Sequence, residues 1–294
     1  MAEKQTVVTR FAPSPTGLLH IGHAYSALIG FERAQAAGAR FLLRIEDIDR
    51  ARCRPEFEHA IPRDLAWLGI SWETPVRRQS DHFDDYRAAL DRLEAMGVLY
   101  PCFCTRKDIA AEIARSPSAP HGPDGVLYPG TCRRLSAAEQ RVRIDAGEPY
   151  ALRLDVQAAL GRVDAPLTWY DRHAGKVIAQ PESLGDVVLA RKDVPTSYHL
   201  AVVVDDHLQG VTLVTRGEDL FAATHLHRLL QELLGCETPD YEHHPLLLDE
   251  EGKRFAKRDT AVTLAGLRAD GVSPDEVIET LRTGRMAWTT SARA

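Results

Sequence analysis

The sequence predicts an α/β protein built on a parallel sheet and interrupted by a loosely patterned insertion. Three observations predict it. A strand, a turn-rich stretch and an amphipathic helix open the chain; strand-like runs return after residue 150; and between Thr105 and Pro149 the apolar period fades.

Val7 to Phe11 reads as the first strand, followed by the turn Ala12-Pro13-Ser14-Pro15-Thr16-Gly17. Ala24, Ala27, Leu28, Phe31 and Ala34 recur at helical spacing, and Gly38 closes that helix as a C-terminal cap. Phe41 to Ile45 is the second strand, so residues 7 to 45 form a βαβ unit. Pro55 suits a helix first turn, but Pro62 predicts a kink or break further on. Another helix runs from about Asp81 to Met96, ended by Gly97. Ser116 to Gly125, rich in Pro, Gly and Ser, reads as a loop insertion. Ala151 to Val156, Asp186 to Arg191 and Val211 to Thr215 read as strands, and Asp219 to Leu234 as a helix. Leu200 to Val204 has strand propensity, while its length also fits a buried helix. Ser273-Pro274-Asp275-Glu276 is a capping box with proline at the first helical position.

The 294 residues suffice for two compact units, and 44% hydrophobic with 27% charged residues is ordinary globular composition. No apolar run is long enough to span a bilayer, and the first residues lack signal-peptide character, so a cytoplasmic address is expected. A net charge of −6 argues against indiscriminate coating of nucleic acid. Basic residues still cluster at Arg50, Arg52 and Arg54, and at Lys253, Arg254, Lys257 and Arg258; each reads either as a local patch or as solvated surface. Five cysteines without a secretory signal do not suggest a disulfide framework.

His20-Ile21-Gly22-His23 leads straight from the turn into a helix. Helix N-termini attract anions through free N–H groups and the macrodipole. Gly22 allows close approach of a nucleotide, and two imidazoles can donate to phosphate oxygens as charge grows there. Taken singly, a histidine at a helix start is more often a cap. Cys102-Phe103-Cys104, Tyr128 and Cys132 offer three thiols and a phenol, a donor set that suits a closed tetrahedral zinc site. His121 is the rival fourth ligand to Tyr128.

The stretch from Arg10 to His23 resembles the first signature of class I aminoacyl-tRNA synthetases in its glutamyl and glutaminyl form. Gly252-Lys253-Arg254-Phe255-Ala256-Lys257-Arg258 resembles their second, lysine-bearing signature, with Arg254 at the first lysine position, Ala256 at the serine and Lys257 at the second lysine. The resemblance covers roughly residues 7 to 107 and 150 to 264. It implies a Rossmann-type parallel sheet with an inserted zinc-bearing, acceptor-like subdomain and a short helical C-terminal region. The expected boundaries are 1–100 and 195–240 for the catalytic halves, 101–194 for the insertion and 241–294 for the lysine loop and helical region. ATP would meet His20, Gly22, His23, Arg254 and Lys257, with His20, His23 and Lys257 catalytic and Mg²⁺ accompanying the nucleotide.

Glutamate needs cations for two carboxylates and an anion for its ammonium, and arginine's planar fork suits a carboxylate. Arg10 and Arg216 are the candidate cations, Glu46 the anion and Tyr198 a phenolic donor. By resemblance Arg10, Ala12, Ser14, Glu46, Tyr198 and Arg216 match the glutamate-binding positions. The Cys-x-Cys…Tyr-x3-Cys arrangement looks like the zinc site of short glutamyl-synthetase paralogues, with a longer loop from Cys104 to Tyr128. Only residues 259–294 follow Arg258, and one helical anticodon-reading domain needs about 100 residues or more. In that respect the chain resembles the short glutamyl-synthetase paralogues, and the resemblance implies a monomeric catalytic half that forms glutamyl-adenylate and glutamylates the queuosine base in the anticodon stem-loop of tRNA(Asp). A truncated synthetase charging the tRNA 3′ end, a small-molecule adenylyltransferase and a non-catalytic tRNA-binding paralogue are the rivals.

Overall fold

Parallel strands require a crossover, and the opening βαβ pattern supplies one. The structure, a computed structural model, describes residues 6–105, 107–109, 121–122, 125–247 and 262–283. Arg254, Lys257 and the rest of the lysine-bearing segment lie outside the described residues, as does the side chain of His121. The chain divides into two compact units: Met1–Ser80 with Val211–Asp219 and Pro239–Ala294, and Asp81–Gly210 with Leu220–Thr238.

In the first unit, Val8–Phe11 pairs in parallel with Arg40–Ile45, Val8 opposite Arg40. Arg40–Ile45 in turn pairs in parallel with Glu73–Arg78. Leu213–Gly217 and Asp240–His244 form a second parallel pair, Arg216 opposite His243. The two pairs meet where the Thr212 N–H donates to the Val8 carbonyl at 3.0 Å. The crossover helix Ile21–Ala36 ends at Gly38, whose φ of +61° suits glycine. Gly30 lets this helix lie close to the sheet: an added Cβ would stand 2.9 Å from Thr215 Oγ1 and 3.1 Å from the Phe41 ring. Leu19, Ala24, Leu28, Phe41, Leu43, Ile61 and Leu65 form the core, which Leu264, Val277 and Leu281 complete from the C-terminal helices.

The expected break at Pro62 does not occur. The helix Pro55–Trp67 continues through it, because Ala60, Ile61 and Leu65 bury the same face on both sides and outweigh one forgone ladder bond. The capping box before Pro274–Thr283 is formed, with the Ser273 N–H donating to Glu276 Oε2 at 2.8 Å.

In the second unit, Leu99–Cys102 pairs antiparallel with Ala151–Leu154, which pairs antiparallel with Val188–Ala190. Leu200 to Val204 is helical, inside Tyr198–Leu208. Ser197 caps that helix, and every residue from Leu200 to Asp206 is buried, so its β-branched content reflects burial all round. Asp205 is held there by the Tyr86 hydroxyl at 2.9 and 3.0 Å. The loosely patterned insertion contains a helix, Ala137–Asp145, opened by a reciprocal Ser136–Glu139 capping box. Ser-x-x-Glu was its readable signal, masked by the absence of any buried face.

Candidate active site and metal centre

His20 and His23 cap their own helix. The Gly22 N–H donates to His20 Nδ1 at 3.1 Å, and the His20 N–H donates to His23 Nδ1 at 3.2 Å. The rings stack with centroids 3.7 Å apart. A neutral imidazole that accepts at Nδ1 carries its proton on Nε2, so capping converts both rings into Nε2–H donors. Gly22 has a second role here, because a Cβ would come within 3.1 Å of the His20 ring.

Residues downstream of the lysine segment return to this turn. His20 and Thr263 form an antiparallel bridge, and the Leu264 N–H donates to the Leu19 carbonyl at 2.9 Å.

The candidate glutamate residues of the first unit lie at strand ends and in the loop beside them. Arg10 is buried and donates from Nη1 to the Thr215 carbonyl at 3.2 Å. Glu46, also buried, faces the fully buried Arg44, Nη2 to Oε1 3.2 Å. Its N–H donates to the Pro13 carbonyl at 3.0 Å, which draws half-buried Ala12 and exposed Ser14 toward the strand end. Arg216 is buried; its Nε donates to His243 Nε2 at 3.0 Å, and its guanidinium lies 5.3 Å from the Tyr241 ring centre. The structure thus gathers Arg10, Ala12, Ser14, Glu46 and Arg216 into one unit. Tyr198 belongs to the other, at the first turn of its helix, its ring 5.5 Å from His199 and 5.7 Å from His227. Arg44, His243 and the bonds from Ser80 to Asp47 at 2.6 and 2.8 Å were not read from sequence. Only pairing register brings His243 to Arg216.

In the second unit the Sγ atoms of Cys102, Cys104 and Cys132 lie within 4.8 Å of one another. Cys104 and Cys132 are 3.4 Å apart, and the Tyr128 hydroxyl is 3.4 Å from Cys102 and 3.6 Å from Cys104. A tetrahedral zinc with bonds of about 2.3 Å to sulfur needs neighbouring donors about 3.5 to 3.8 Å apart, so this donor set fits the ion closely. Tyr128 is held by accepting the Cys132 N–H at 2.9 Å and by the Arg153 guanidinium 3.9 Å over its ring. Burial pushes the Cys104 thiol up to about 12. Burial, then the bond from Cys102, raises Tyr128 as well. Cys132 is also penalised by burial, but hydrogen bonds led by Tyr128 and the Phe103 N–H outweigh it and lower its pKa. A divalent cation at the centre would favour the anionic form of every donor.

The first unit thus has a parallel sheet with a histidine-capped helix, and the second a three-thiol cluster. The family described as tRNA synthetases class I (E and Q), catalytic domain, matches residues 6–294, and the chain belongs to it. It therefore has the class I synthetase catalytic fold. The chain is 51% identical over 277 residues to the Glutamyl-Q tRNA(Asp) synthetase of Rhodobacter capsulatus, covering 92% of this chain and 98% of that protein. It is 46% identical over 279 residues to the protein of that name from Symbiobacterium thermophilum, covering 92% and 83%. Among solved structures, glutamate-tRNA synthetase from Elizabethkingia anophelis matches with a TM-score of 0.80 at 29% identity, over 95% of this chain. The chain spans 61% of that synthetase.

Proposed function

We propose that this protein activates glutamate with ATP as glutamyl-adenylate and transfers it to the queuosine base at the wobble position of tRNA(Asp). The observation that carries the activation step is the backbone bridge between His20 and Thr263. Thr263, which that bridge joins to the histidine turn, follows Lys257 by six positions in the sequence. The names of the relatives carry the choice of acceptor.

In the first step a glutamate α-carboxylate oxygen attacks the ATP α-phosphorus, and the bond to pyrophosphate breaks. His20 and His23 donate from Nε2–H to the phosphate oxygens, with Arg254 and Lys257 adding positive charge. Mg²⁺ accompanies the nucleotide and offsets its charge. Arg10 and Arg216 take the carboxylates, Glu46 the ammonium, Tyr198 donates a phenolic hydrogen bond, and Ala12 and Ser14 line the loop. In the second step a hydroxyl of the queuosine cyclopentenediol attacks the acyl carbon and AMP leaves. The anticodon stem-loop is the docked part of the tRNA. Cys102, Cys104, Tyr128 and Cys132 would hold zinc in a structural role, since a fourth protein ligand would leave no open position. The enzyme works as a cytoplasmic monomer.

Labelled glutamate is supplied with ATP and tRNA(Asp) that contains or lacks queuosine. Label is expected only on the queuosine form. The likeness to a glutamate-tRNA synthetase favours one other reading, charging of the 3′ end, and equal labelling of both tRNAs would establish it instead. Folded protein that supports no glutamate-dependent pyrophosphate exchange would leave a non-catalytic tRNA-binding role.

A further inference from the structure

Arg216 and His243 face each other across two parallel strands, and the geometry points to His243 as the residue that orients Arg216 toward the substrate carboxylate. The inference rests on the reading of Arg216 as a glutamate-binding group. A guanidinium at the end of a flexible stem binds both oxygens of a carboxylate only when its plane is set beforehand. Here three features set it. Strand register places Arg216 directly opposite His243, so neither side chain has to reach. Arg216 Nε donates to His243 Nε2 at 3.0 Å, with both residues buried. The Tyr241 ring stacks on the His243 imidazole, interplanar angle 6°, and lies 5.3 Å from the guanidinium carbon.

The bond also specifies the tautomer. His243 accepts at Nε2, so its proton sits on Nδ1, and the ring is a neutral acceptor beside a permanent cation. An acceptor at Nε holds the stem end of the guanidinium without using its Nη fork, the edge that matches a carboxylate. His243 is thus a positioning residue, acting through Arg216.

The test compares side chains of different reach. In His243→Gln the amide oxygen can stand near the Nε2 position; in His243→Asn it falls one bond short; His243→Leu removes it. Glutamate- and ATP-dependent pyrophosphate exchange, with tRNA present, is measured for each, with thermal unfolding as the control for folding. The expected result is a KM for glutamate raised about tenfold or more in the Asn and Leu variants. The Gln variant should stay within about threefold of wild type, and the KM for ATP should stay within about twofold in all three. Added to Arg216→Ala, His243→Asn should cost nothing further. A folded Asn variant with wild-type KM for glutamate overturns the proposal. So does an equal loss in Gln and Asn, which would indicate a packing role. If Arg216→Ala itself leaves the KM for glutamate unchanged, the reading of Arg216 fails instead.

Discussion

The buried polar groups of the two units are assembled on different plans. In the first unit Arg10 meets the Thr215 carbonyl across 205 positions of sequence, and Arg216 meets His243 across 27. In the second, Cys104 and Cys132 are 28 positions apart, and the Tyr128 hydroxyl lies 3.4 Å from Cys102 and 3.6 Å from Cys104. The sheet site depends on strand register: each guanidinium is held by a backbone carbonyl or a cross-strand side chain. In the thiol site burial drives Cys104 and Tyr128 toward their neutral forms, and a cation bound there would oppose that. One site is preorganised by the fold, and the other would be completed by a bound cation.

The sharpest way to break this contrast is to remove a charge from the sheet site. Glu46→Ala removes the carboxylate that faces the fully buried Arg44, and Arg216→Ala removes the guanidinium itself. Each should lower kcat/KM for glutamate by about 100-fold or more while ATP still binds. Retained activation in both variants would remove the amino-acid assignment.

On the thiol side, metal analysis of fresh protein should find about one zinc per chain. Cys102→Ser should lose it and lower the apparent Tm by about 10 °C. Protein isolated without metal would defeat this half of the contrast. Tyr128→Phe sharpens it: zinc should dissociate about tenfold faster in a chelator competition, whereas His121→Ala should match wild type. The reverse pattern would make His121 the fourth ligand.

A smaller effect is expected from packing. Gly30→Ala sets a methyl group against Thr215 Oγ1 and Phe41, and overpacking of this kind costs about 1–3 kcal/mol in chemical denaturation.

The smallest effect is electrostatic and occurs in both units. Burial lowers the pKa of His244 in the first and of His225 in the second. The unfolded chain, with histidine near 6.5, then binds protons before the native protein does. These groups contribute stability above about pH 6.5, and it is lost as pH falls through the lowered native values. His244→Asn should flatten that acid-side slope by up to about 1 kcal/mol per pH unit. An unchanged slope would assign the loss to other groups.

Local pattern made much of this legible. The first βαβ unit, the Gly38 terminus and the Ser273 capping box depend on contacts within a few residues and were readable as such. Pro62 misled because propensity describes an isolated helix, whereas Ala60, Ile61 and Leu65 are held by the core. Leu200 to Val204 was ambiguous because burial on every side erases the period that separates helix from strand. The thiols and Tyr128 were readable as a set because cysteine and a phenol are recognisable metal donors by residue type.

By itself the sequence determined the residue types at each site, the family they resemble and the helix caps, all carried by short-range chemistry. Only the tertiary structure decided that capping directs the protons of His20 and His23 to Nε2, that Thr263 returns to the histidine turn, and that His243 faces Arg216. The first is a matter of which ring nitrogen each local bond engages, and the other two join separate segments that strand register and core packing bring together.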